Sequence, residues 1–415
     1  MNYVLRSLDH RLDFLAEHFS AIAIEGPKAV GKTETAMRRV DEVFHMDSPD
    51  DRNRFLAIDL VARAHESPLL IDEWQLLPES WDVVRRAVDA GIPQGSIFLT
   101  GSATPAPGIT THTGAGRIMT ARMRPLGMCE VTSETSTISL GEIIAGGANI
   151  TGESSCVLED YIRALGTTGM PGAAKLPNLA MTEFIAAYIQ RIVDRELPAQ
   201  GYTVRNRSGL LGWMRSYARF TGTDASYTEL LARATAGDGD APSQRTTAVY
   251  REKLSEIWMV DPLPAWDSLF HRIPRLTVAP KHYLVDTAMA LFLAGVRPRQ
   301  LDSTQNASKL GQFFEALAVH SVRVAASAHG LSSSHVRTKG GEREIDLVLE
   351  SHDGGVIAFE MKLAGTIRDD DVRHLTWFRE QLGGDLIDAV VLYTGRHAYR
   401  RPDGIAVIPL SLLTP

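Results

Sequence analysis

Cysteine is nearly missing: Cys129 and Cys156 are the only two in 415 residues. Two thiols make neither a disulfide framework nor a cysteine metal site, which excludes a small secreted scaffold and fits a reducing cytoplasm. Long apolar runs are missing too. The longest stretches, such as "AMALFLAGV" at 288–296, fall far short of the roughly 20 residues a bilayer core demands, so no membrane partner is expected. The N-terminus, "MNYVLRSLDHRLDFL", carries acids and lacks an apolar centre, so it does not read as a secretory signal. Nor is there an excess of positive charge. The net charge of −7 argues against a globally basic nucleic-acid binder and leaves room only for a local basic face. No solenoid-period repeat is present, and low complexity is confined to "TAGDGDAPSQ" at 235–244.

What is present is an ordinary globular composition, 44% hydrophobic and 22% charged, in a chain too long for one core. Two to three domains are expected. The stretch "EGPKAVGKTET" fits the phosphate-loop pattern G-x-x-x-x-G-K-[ST]. "FSAIAIEG" before it reads as a buried parallel strand, and "KTETAMRRVDEVF" after it reads as one helix, with Ala36, Val40, Val43 and Phe44 at helical spacing. The backbone of Gly26, Pro27, Lys28, Ala29, Val30, Gly31, Lys32, Thr33 and Glu34 would then wrap the phosphates of ATP. Lys32 would reach the β- and γ-phosphates, and the Thr33 hydroxyl would ligate Mg²⁺.

A second anchor for Mg²⁺ is expected at the end of a neighbouring strand. "SPLLIDEWQ" supplies Asp72 to hold the ion through water and Glu73 to orient and deprotonate the attacking water. Only "AIDLVARAHES" is left to connect the loop's helix to this strand, a short interval. A third strand, "GSIFLTGSATP" at 95–105, brings Thr100 and Ser102 hydroxyls that could sense the γ-phosphate. Beyond it, Arg117, Arg122 and Arg124 are candidates for the cation that neutralises transition-state charge.

"GPKAVGKT", "LLIDEWQLLPE", "FLTGSA" and "RMRPLGMCE", in this order, resemble the prokaryotic predicted ATPases of the AAA-like class. Further matches are "GTTGMPG", "IQRIVDREL", "PKHYLVDTAMALFLAG" and "GQFFEALAV", so the resemblance spans nearly the whole chain. It implies an α/β P-loop NTPase domain (a parallel sheet with flanking helices) over 1–150. A helical, winged-helix-like region over 151–300 follows, then an α/β restriction-endonuclease-like domain of the PD-(D/E)xK type over 301–415. Lys32, Thr33, Asp72 and Glu73 are the nucleotide-site residues it implies. The glycine-rich "EIIAGGANITGESS" at 142–155 reads as the exit from the first domain.

In the middle, "GLLGWMRSYARFTG", "SYTELLARAT" and "SQRTTAVYREKLSEIWMVDPLPAW" give helix, short helix, longer helix and an apolar β-like segment, the order of a winged helix-turn-helix. Ser243 would cap the third helix, whose exposed face would carry Arg245, Thr246, Thr247, Tyr250 and Arg251 toward DNA. A protein–protein or lid element is the alternative, because Glu252 and Glu256 are interleaved. Toward the C-terminus, "GEREIDLVLESHDGGVIAFEMKLAG" reads as two strands about Asp353-Gly354-Gly355. Asp346 and Glu360 would hold a divalent metal, Lys362 would steady the attacking water or the scissile phosphate, and Glu315 matches the upstream acid of such nucleases. The alternative is an inherited fold in which Lys362 pairs with Asp346. Two function classes stand: an ATP-driven enzyme on nucleic acid, and a nucleotide-dependent scaffold with a protein partner and nothing cut. The oligomeric state is open.

Overall fold

Short runs of Ile, Leu and Phe, buried on both faces, are what a parallel sheet demands. Three of them, β1 (Ala21–Glu25), β3 (Leu69–Asp72) and β4 (Ile97–Gly101), form the centre of the first sheet, and the less buried β2 (Glu42–His45) and β5 (Ile118–Arg122) form its edges. All pair in parallel, in the order β2-β3-β4-β1-β5, with Ile22 opposite Phe98 and Ile71 opposite Leu99. The computed structural model describes residues 3–102, 114–135, 137–234, 242–268, 273 and 276–415. The last three residues of "GSIFLTGSATP" and most of "TAGDGDAPSQ" lie outside them.

The helix after the phosphate loop is shorter than its sequence pattern predicts. It spans Lys32–Met37, and Val43 and Phe44 lie instead on β2, where Phe44 faces Ile71 in the register. Their spacing suits a helix and a short buried strand equally, and no glycine or proline marks the turn between. The connection to Asp72 is therefore not short. It holds two helices, Pro49–Ala57 capped by Ser48 and Leu60–Glu66 capped by Asp59.

The chain then gives two small strands, β6 (Ile138–Ser139) and β7 (Gly152–Glu153), that belong to distant partners. The second sheet adds β8 (Ser332–Arg337), β9 (Glu344–Glu350), β10 (Val356–Lys362), β11 (Leu386–Tyr393), β12 (His397–Arg400) and β13 (Ala406–Pro409). Its order is β7-β12-β13-β11-β10-β9-β8, and β6 pairs separately with β14 (Leu413–Thr414). Asp353-Gly354-Gly355 does form the turn of an antiparallel β9–β10 hairpin, with Gly354 at φ 88°. Alternation sends Leu347, Leu349, Ile357 and Phe359 to the core shared with the helix Ala307–Ala326. Val348, Val356 and Ala358 go to the opposite face, under the helix Asp369–Leu382.

Between the sheets lie the helices Asn178–Arg191, Arg207–Arg219, Tyr227–Ala234 and Gln244–Glu256, the first running on into a π-helical turn, Ile192–Glu196. Ser243 caps the last as its sequence predicts, accepting from Thr246 N. The exposed face expected there is partly wrong. Thr247 and Tyr250 are buried, Tyr250 against the Trp213 ring, and Arg251 lies over the Tyr227 ring at 3.8 Å. Arg245 alone of the two arginines is exposed. Two antiparallel bridges, Val260 to Leu284 and Leu263 to Lys281, stand where the apolar β-like segment was expected.

Candidate nucleotide site and the C-terminal acid cluster

Residues 26–33 curl around the side chain of Lys32. Ala29 and Gly31 take positive φ (66° and 99°), which curls the loop. Gly26 must be glycine: a Cβ there would lie 2.1 Å from Met123 O. The Lys32 ammonium is buried and folded back into the loop, donating to Gly26 O at 3.0 Å and Pro27 O at 2.9 Å. Burial lowers its pKa to about 8, with Glu73 and Asp72 pulling the other way.

Parallel pairing delivers Asp72 and Glu73 to the same sheet edge as the loop, the ligand edge of open α/β sheets. Thr33 Oγ1 donates to Asp72 Oδ1 at 2.8 Å, so the two residues assigned to Mg²⁺ are side by side. Thr100 Oγ1 donates to the same oxygen, and His45 Nδ1 lies 3.0 Å from Asp72 Oδ2. Glu73 takes the left-handed conformation (φ 54°) just past β3, which turns its side chain away from the strand. Its carboxylate accepts from Ser102 Oγ at 2.9 Å and from Gln75 Nε2. Thr100 and Ser102 therefore hold the two acids themselves. A hydroxyl and a carboxylate in contact are hard oxygen donors of the kind Mg²⁺ prefers, so the residues present fit that ion. Lys28 and Glu34 are exposed, and Pro27 and Val30 are buried.

The three candidate arginines are all paired with carboxylates. Arg117 bonds the exposed Asp89 at 3.0 Å. Arg122 and Arg124 reach the buried Asp261, at 3.0 Å and 2.7 Å, which also accepts from Arg323 at 2.8 Å. Burial alone would raise the Asp261 carboxyl, but Arg124, Arg323 and Arg122 hold it well below the usual range.

Three contacts at the loop have no counterpart in the sequence pattern. Arg6 Nη1 donates to Val30 O at 2.8 Å from inside the core. From the middle region, Tyr188 donates to Lys28 O at 3.2 Å and Glu196 bonds Lys28 at 2.8 Å. A π-helical turn among "IQRIVDREL" is the local irregularity that marks this dock, and such turns are enriched at functional positions.

At the C-terminal cluster the structure brings Glu315, Glu344 and Asp346 together, but around a residue not assigned to the site. Lys281 Nζ, fully buried, lies 2.9 Å from Glu315 Oε1, 2.7 Å from Glu344 Oε1 and 3.1 Å from Asp346 Oδ1. Asp346 Oδ2 accepts from Met361 N at 2.9 Å. Lys362 bonds Glu360 at 3.0 Å, and Asp346 takes Lys281 for its ammonium. Tyr283 donates to Glu315 at 2.9 Å. Lys281 lies in "PKHYLVD", and only its spacing to Tyr283 on one face of an extended segment could have drawn attention to it.

Comparison with known proteins divides the chain in three. Residues 18–132 match the AAA domain family, 158–300 match a domain of unknown function (DUF8612), and 310–413 match another (DUF4143). Uncharacterized proteins of Mycobacterium tuberculosis and Mycobacterium bovis are each 23% identical over 401 residues, covering 94% of this chain and 79% of their own. A Walker-type ATPase of Pyrococcus abyssi, known by its structure, is 13% identical with a TM-score of 0.40, over 70% of this chain and 96% of its own. Among the described residues no helix is long and apolar enough to cross a membrane. The AAA match and the parallel sheet together support a P-loop ATPase domain in the first part of the chain.

Proposed function

We propose that the protein binds ATP at residues 26–34 and hydrolyses it with Mg²⁺, and that the nucleotide cycle drives contact with nucleic acid through the middle and C-terminal regions. One observation carries the catalytic half: Thr33, Asp72 and Glu73 converge at the mouth of the phosphate loop, with Thr33 and Asp72 in direct contact. Lys32 leaves Gly26 O and Pro27 O to meet the β- and γ-phosphates, trading two neutral acceptors for charged ones. Thr33 and Asp72 would hold Mg²⁺, which would supply charge neutralisation at the phosphates when bound. Glu73, fixed by Ser102 and Gln75, takes the proton of the attacking water. Lys32→Ala should abolish tight ATP binding, whereas Glu73→Gln should keep binding and lose turnover. A Glu73→Gln protein hydrolysing at the native rate removes the role given to Glu73.

A scaffold reading, with a protein partner and nothing cut, draws support from Arg251, which is engaged with Tyr227. Phosphate release with and without double- and single-stranded DNA and RNA, followed by gels of the same samples, separates the two. Stimulation by a nucleic acid favours the first reading, and indifference to all of them favours the second.

A further inference from the structure

The C-terminal acids invite a divalent metal, and the donor set argues against one. A metal ion needs carboxylate oxygens left free to close on it at about 2.0–2.6 Å. Here one oxygen each of Glu315, Glu344 and Asp346 is already committed to the Lys281 ammonium, and the second Asp346 oxygen to Met361 N. A dication placed among them would sit against a buried positive charge. Among the described residues no group of three or more His, Cys, Asp or Glu side chains is arranged to hold a metal ion.

We propose that Lys281 is the resident cation of this cluster: its ammonium stands where a nuclease-type metal would sit, and the cluster joins the backbone around Lys281 to the C-terminal sheet without binding a divalent ion.

Lys281 and Lys362 face four carboxyl groups, and Arg337 reaches Glu344 at 3.5 Å while also bonding Asp224. Three carboxylates within 3.1 Å surround the Lys281 ammonium. One oxygen, Glu360 Oε1, is buried without a hydrogen-bond partner, with His374 Nδ1 3.6 Å away. A lone oxygen is not a coordination sphere for an ion that takes six or more. The joint is continuous with the backbone around it. Leu263 bridges Lys281, Ala265 bridges His335 on β8, and Trp266 N donates to His335 O at 2.7 Å.

The test is Mn²⁺ binding to the full-length, nucleotide-free protein, followed by the electron paramagnetic resonance of free Mn²⁺. Native protein and Asp346→Asn should give superimposable isotherms, since any ion at the phosphate loop is common to both. One extra equivalent in the native protein, lost in Asp346→Asn, overturns the proposal. Lys281→Gln, which removes the charge and shortens the side chain by one atom, should gain one equivalent, and Lys281→Gln with Asp346→Asn should lose it again. If Lys281→Gln does not fold, the comparison of native protein with Asp346→Asn decides alone. ATP turnover is not the readout, so a failure here is separate from a failure of the ATPase reading.

Discussion

Lys32 is where burial and function pull against each other. A lysine whose free-state pKa lies near 8 is half neutral at that pH, yet only the ammonium pairs with phosphate. The sign follows. Below pH 8 the bound and free forms both carry the proton, and above it ATP binding must take one up. Affinity should therefore fall by about tenfold per pH unit above 8, and calorimetry in two buffers of different ionisation enthalpy should show proton uptake rising from near zero at pH 7 toward one at pH 9. Equal uptake at both pH values would mean that Lys32 is charged throughout. Glu73 offers a second test. Its carboxylate depends on Ser102 and Gln75 for its aim, so Ser102→Ala should lower kcat by roughly tenfold with KM for ATP little changed, the scale on which a lost orienting contact acts.

Elements were legible in proportion to how local their causes are. β1, β3 and β4 announce themselves by apolar runs ending in glycine or acid, and the β9–β10 hairpin by its Asp-Gly-Gly turn. β2 was misread because Val40, Val43 and Phe44 satisfy the helical period by coincidence, and pairing with β3 decides what the pattern could not. The same limit shaped the helix Gln244–Glu256. Its cap was readable from Ser243, but which face is buried depends on Trp213, some thirty positions earlier. Arg251 stacks on Tyr227, so Arg251→Ala should cost about 0.5–1 kcal/mol of stability, measurable by denaturant melting. Arg245 is the cleaner probe of nucleic-acid contact. If it touches a phosphate, Arg245→Ala should lower the slope of log affinity against log salt by about one. An unchanged slope removes it from the interface.

Across the whole molecule, charge is spent at seams that join remote segments, and these were invisible beforehand because no spacing rule links residue 6 to 30, 122 to 261 or 281 to 346. Asp261 gathers Arg122 and Arg124 from one part of the chain and Arg323 from another. Asp261→Asn would strand three guanidinium groups, with a stability loss of about 3–5 kcal/mol. Arg117→Ala, at an exposed pair, should cost about 0–1 kcal/mol. Comparable losses for the two would show that the seam is not what holds the regions together. The small strands carry a further consequence. β6 waits for β14, and β7 for β12, so these two short strands have no strand partner until residues 397–414 have been made. The five-stranded sheet can close during synthesis, whereas the seven-stranded one cannot complete its β7 edge until residues 397–400 have emerged. A nascent chain stalled at 330 should thus resist protease over 18–132 and be cut at 138–153.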